Sequence, residues 1–305
     1  MNKPKRHHYL PQFYLKNFCK NGFLWVYDRN NNEYRQQTPI NTAVKKKYYT
    51  ITGPDGRSHN EIEAVLANIE GETKHIIEKI NEKKSIDLEE KCILAIFIAF
   101  LYVRVPEFEM EINELTEKFL KRYNISIIPN EKEAENIIKQ FAKTKDQENL
   151  SPKKMLDFVK NENYDIKVPR EHSLRLMYFL AREFPIIFIQ MDWQFWYSSK
   201  SSLFITSDNP FIVISPQNYN GPYGIGTKGA KKLIPLNQKI CLVMCDKGDN
   251  MINRNLSSKE VRSINCLIAM ECDRFLISQD KSLLGSLVKI SKIDKWWKKS
   301  RVKLL

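Results

Sequence analysis

Cys92-Ile93-Leu94-Ala95-Ile96-Phe97-Ile98-Ala99-Phe100-Leu101-Tyr102-Val103 is the longest uninterrupted apolar run in the chain. Its twelve residues fall well short of the roughly 20 needed to cross a bilayer as a helix. The run therefore reads as a core helix, apolar nearly all round and placed centrally. Asp87 caps it upstream, and Pro106 stops or kinks it downstream.

Working outward, Ile62, Val65, Leu66, Ile69, Ile76, Ile77 and Ile80 recur by threes and fours, which predicts a helix capped by Ser58 or Asn60. Further helical stretches are expected over about 107–123, 130–145, 151–161 and 169–190. Before residue 58 the pattern is that of short strands. Phe23–Tyr27 and Glu33–Thr38 form a hairpin about Asn30-Asn31-Asn32, Lys47–Ile51 is a third candidate ended by Gly53-Pro54-Asp55-Gly56, and Pro11 opens a short helix through Phe18. After Asp192 strands return at Gln194–Ser199, Leu203–Ser207, Phe211–Ser215, Lys232–Leu236 and Ile240–Cys245, followed by a helix from Ser257 to Cys272 and a strand Arg274–Ser278. The expected class is α+β, with a mixed or antiparallel sheet built from N-terminal and C-terminal strands and a helical bundle inserted between them. One domain, 1–305, is expected: an N-terminal β part (1–57), a helical part (58–192) and a C-terminal β part with one helix and a basic tail (193–305).

The composition, 42% hydrophobic and 28% charged, is that of a folded globular protein. The basic N-terminus runs into Tyr9-Leu10-Pro11-Gln12 and not into a signal-peptide apolar stretch, so a soluble, cytoplasmic protein without a transmembrane segment is expected. Six cysteines without CxxC spacing read as reduced thiols, with Cys241 and Cys245 a conceivable ligand pair on one strand face.

The net charge of +13 is uneven: +8 over residues 1–60, −4 over 61–160 and +9 over 161–305. Two basic ends folding together make one cationic face, which attracts polyanions and makes nucleic acid the expected partner. The excess of lysine over arginine, 36 to 13, also fits an AT-rich coding sequence with no ligand involved. Trp296-Trp297-Lys298-Lys299 mixes stacking surfaces with charge, as single-strand binders and membrane-surface anchors both do.

His7 and His8 are adjacent, so on a strand they point to opposite faces and make poor joint metal ligands; acid–base duty or contact with a phosphate-type ligand competes with a plain arrangement in which one packs in the core and the other is solvated. Glu63 and Glu70, seven apart, share one helix face; Arg104 at the end of the central helix needs a carboxylate or a phosphate, and a structural Glu63–Arg104 pair competes with a site. Thr206-Ser207-Asp208-Asn209-Pro210 closes a strand with polar residues, where Asp208 is a candidate carboxylate and an Asx-type turn is the plain alternative. Gly224-Ile225-Gly226-Thr227-Lys228-Gly229 has GxGxxG spacing but precedes a strand and not a helix, so it is read as a mobile loop.

His8-Tyr9-Leu10-Pro11, Leu24-Trp25-Val26-Tyr27-Asp28-Arg29, the Glu63–Glu70 helix, Arg104-Val105-Pro106 and Phe204–Pro210 together resemble the bacterial family called domain of unknown function 4238. The resemblance covers most of the chain, implies no assigned reaction, and favours His8 over His7. The functional expectation is a nuclease-like effector acting on RNA or DNA in bacterial defence, with or without a divalent metal ion. His8, Glu63, Arg104 and Asp208 are its candidate catalytic residues, and His7, Arg29, Ser207, Lys228, Trp296 and Trp297 its candidate substrate-binding residues. The alternatives are a non-catalytic nucleic-acid- or protein-binding module with a structural polar network, and a small-ligand sensor.

Overall fold

The computed structural model describes residues 6–46, 48, 51–52, 58–59, 61–142, 144 and 149–294, the side chains of 51–52, 58–59, 61–66, 247 and 291–294 excepted. Two compact units divide it, residues 1–108 with 174–305 and residues 109–173. The class is α+β.

In the first unit, the apolar run forms α3 (Leu88–Val103), following α1 (Gln12–Lys16) and α2 (Glu61–Asn81). Asp87 accepts from the Glu90 amide while Glu90 reaches back to the Asp87 amide, a reciprocal capping box. Pro106 opens α4 (Pro106–Ile127), where its missing N–H costs nothing.

The strands divide into two larger sheets and not one. A four-stranded sheet, β3-β2-β13-β8, joins the N-terminal hairpin β2 (Leu24–Asp28) and β3 (Glu33–Gln37) to β13 (Phe275–Ser278) and β8 (Thr206–Ser207). All its pairings are antiparallel. The other sheet, in the order β12-β7-β11-β10-β9, comprises β7 (Met191–Tyr197), β9 (Ile212–Ile214), β10 (Lys231–Pro235), β11 (Ile240–Lys247) and β12 (Met251–Asn255). Here β12 runs parallel to β7. Two small pairs complete the strands, β1 (Arg6–His8) with β4 (Val44–Lys46) and β5 (Ile51–Thr52) with β6 (Ser58–His59). Most of the expected Lys47–Ile51 strand and the Gly53–Gly56 turn lie outside the described residues.

Strand β7 shows why the five-stranded sheet is central. Met191, Trp193, Phe195 and Tyr197 alternate with less buried residues, giving one fully covered face. On that face the Tyr197 hydroxyl donates to the Ile80 carbonyl of α2, and the Lys91 ammonium of α3, 5.5 Å from the Trp193 ring centroid, donates to the Met191 carbonyl. The opposite face, with Ile212, Leu233, Cys241 and Val243, shares a core with Leu276 of β13 and with Ile264 and Ile268 of α8 (Ser258–Glu271), after which α9 (Lys281–Asp294) follows.

The second unit is helical. It contains α5 (Glu131–Phe141) and α6 (Pro152–Asn161), packed through Ile128, Ala134, Leu156 and Val159, together with parts of α4 and α7 (Arg170–Ile189). Asn130 and Ser151 cap its α5 and α6. Among the described residues no helix is long and apolar enough to cross a membrane.

Candidate functional site

Alternation along β1 buries His7 (1% exposed) and leaves His8 half-exposed. His8 Nε2 lies 3.1 Å from the Ile40 carbonyl oxygen. A carbonyl only accepts, so Nε2 carries the proton and Nδ1 of the neutral ring keeps its lone pair. Burial lowers the His8 pKa, the bond to Ile40 opposes this, Arg104 and Arg6 lower it further, and Glu70 raises it. Arg104 caps the C-terminus of α3 and donates to the His8 carbonyl (2.6 Å) and to Glu70 Oε1 (3.1 Å). Glu70 is thus a carboxylate that meets Arg104; the Glu63 side chain lies outside the described residues, as do Trp296 and Trp297.

Asp208 serves the backbone. Its carboxylate is buried and accepts the amides of Asp273 (3.0 Å) and Arg274 (2.7 Å), while its own amide donates to the Phe275 carbonyl. The turn between α8 and β13 is thereby pinned to β8. Ser207 Oγ accepts from the Asn209 amide and donates to the Asn209 carbonyl, so the side-chain turn here is made by the serine hydroxyl and not by an Asx carboxylate. Asn209 then donates to Glu107 and to the Glu271 carbonyl. No hydrogen bond joins Asp208 to His8 among the described residues.

Burial, with the Asp273 charge adding to it, pushes the Asp208 pKa from 3.8 up to about 7 against the pull of three backbone amides. A folded-state pKa above the unfolded value gives stability that is complete below 3.8 and lost as pH rises through about 7. Between pH 5 and 8 this group should cost the native protein on the order of 2–3 kcal/mol, at 1.36 kcal/mol per unit. Asp208→Asn cannot ionise, so its urea-unfolding free energy should fall less over that interval than that of the wild type. Parallel pH profiles would contradict the assignment.

The strongest polar node is one the sequence reading passed over. Asp28, with no exposed surface, accepts from Arg274 Nε (2.9 Å) and Arg274 Nη2 (2.8 Å), from Arg35 Nη2 (2.9 Å), and from the Asn30 amide. Burial alone would raise its pKa, but Arg274 with Asn31 and Arg35 holds it below the ordinary carboxylate value. Tyr9 and Asp208 both lie within electrostatic reach of Arg274. Arg29 donates to the Cys272 and Asp273 carbonyls, so it too anchors the turn before β13.

A groove of about 1450 Å³ lies on the four-stranded sheet beside α9, lined by Lys20, Phe23, Trp25, Tyr34, Lys281 and Lys289 among others. The Lys281 ammonium sits 4.9 Å from the Trp25 ring centroid and 5.7 Å from that of Tyr34, and Phe23 is 47% exposed. Against the three lysines stands Asp280, which accepts from the Ser282 amide at the start of α9. An adjoining hollow of about 400 Å³ shares Leu203, Asp280, Ser282 and Ser286 with the groove and adds Arg262 and Ser258. Helix α9 was legible only as a basic tail, so this groove was not foreseen.

None of the six cysteines is joined in a disulfide; Cys241 and Cys272 are buried and the others partly so. Among the described residues no group of three or more His, Cys, Asp or Glu side chains is placed to hold a metal ion. The family model described as protein of unknown function, DUF4238, matches residues 6–282. The chain belongs to this family. Within it, the match spans the His8 strand, the Asp28–Arg274 node and most residues of the groove. No curated protein and no solved structure matches.

Proposed function

We propose that the chain binds single-stranded nucleic acid along the groove between the four-stranded sheet and α9. One observation carries this reading: three lysines and three aromatic rings share one open groove. Lysines attract the phosphate chain without reading sequence, and aromatic faces take unstacked bases at roughly 1–3 kcal/mol each. Asp28 and Asp208 are each held by other groups of the fold, which gives them structural duties and supports the same reading. A duplex hides its bases, so a fluorescently labelled single strand should bind more tightly than the duplex of the same sequence. Equal affinity would contradict stacking in the groove.

A nuclease-like activity, of the kind that serves bacterial defence, is a second reading and rests on His8. Its Nδ1 lone pair has no hydrogen-bond partner among the described residues, and Arg104 lies close by. The bond from Nε2 is exposed, so His8→Ala should cost no more than about 1 kcal/mol of stability. Loss of RNA or DNA cleavage in that variant with an unchanged melting temperature would support the reading. Intact substrate after incubation with the wild type, with and without Mg²⁺, would remove it.

A further inference from the structure

A second cavity, of about 560 Å³, lies at the end of α7, lined by Ile186, Ile187, Met191, Lys228, Lys232 and Asp246 among others. Lys232 is 1% exposed, although it stands on β10 where its neighbours in the buried stretch are apolar. An ammonium has three N–H donors, and the hydrogen bond found for this one is to the Ala230 carbonyl (2.8 Å). A buried cation so sparingly satisfied calls for an anion. Asp246 supplies part of that charge, but it is exposed and its Oδ1 accepts from the Gly229 amide at 2.6 Å. Burial holds the Lys232 pKa below the ordinary value, with Asp246 partly restoring it.

Two lysines against one aspartate leave the cavity one positive charge in excess. A monoanion balances it and a dianion overshoots. Ile186, Ile187 and Met191 offer the rest of the ligand an apolar wall, and the volume lies within the range of small-molecule pockets, about 300–1000 Å³. We infer that this cavity binds a small monocarboxylate with an apolar body, its carboxylate on Lys232 and Lys228 and its hydrocarbon against Ile186, Ile187 and Met191. This inference is independent of the nucleic-acid groove, which shares none of these residues.

Phenylacetate, phenylacetamide and the dianion phenylmalonate serve as probes in calorimetric titrations of the full chain at pH 8. Phenylacetate should bind at millimolar or lower concentration, and the amide and the dianion at least tenfold more weakly. Lys232→Met keeps an unbranched side chain, one heavy atom shorter, and removes its charge, and should weaken phenylacetate binding at least tenfold. If that variant fails to fold, Ile187→Trp, which fills the cavity from its half-exposed wall, should abolish binding. Absence of phenylacetate binding, equal binding of the amide or the dianion, or unchanged binding by whichever variant folds would overturn the proposal.

Discussion

Asp28→Ala should lower the unfolding free energy by about 3 kcal/mol, the lower end of the cost of breaking a buried ion pair. The carboxylate, at the end of β2, has no exposed surface and gathers donors from the turn between β2 and β3, from β3 and from the residue before β13, so its loss removes one tie among three neighbouring strands of one sheet. The arginines left behind are about 40% exposed and recover some hydration, which keeps the expected loss from being larger. Asp28→Asn, which retains one acceptor, should lose less. Because the folded pKa is depressed, the stability from this group is present above 3.8 and disappears as pH falls through the folded value. Urea unfolding at neutral pH provides the test, and a loss under about 1 kcal/mol, typical of a surface pair, would show that the node does not organise the sheet.

Changing Lys20, Lys281 and Lys289 together to Gln should weaken single-strand binding more than tenfold at low salt. It should also reduce the slope of log affinity against log salt by about 2, since each phosphate contact on a single strand contributes about 0.7. All three side chains are exposed, so the fold should be unaffected. Lys281 contributes twice, by its charge and by its position over Trp25 and Tyr34. Salt titrations of wild type and variant with the same labelled strand decide the matter; coincident slopes would place the phosphate contacts elsewhere.

Local signals were legible and long-range choices were not. The apolar run, its Asp87 cap and Pro106 predicted α3 to within a few residues, and the aromatic and β-branched stretch Phe23–Tyr27 with the asparagine turn predicted the hairpin. Strand β12 was missed because all five of its residues are exposed, which leaves no alternation to read. Leu284, Leu287 and Val288 have helical spacing in α9, but Gly285 and the surrounding charge masked it. The division into two sheets depends on which strands pair, and pairing partners such as β2 and β13 lie some 250 residues apart. The same limit applied to the polar residues. Arg104 announced its need for a carboxylate, and the packing of α2 against α3 brings Glu70 to it, a pairing that the shared helix face of Glu63 and Glu70 left open. Asp28 ends a strand that reads as ordinary until Arg274, 246 positions later, closes on it.

Ultraviolet crosslinking of the wild-type chain to a single strand carrying 5-bromouracil, followed by mass spectrometry of the adducts, reads the binding surface directly. Adducts on Phe23, Trp25 or Tyr34 are the expected result. Adducts confined to peptides outside the groove, or none from a strand shown to bind, would contradict it.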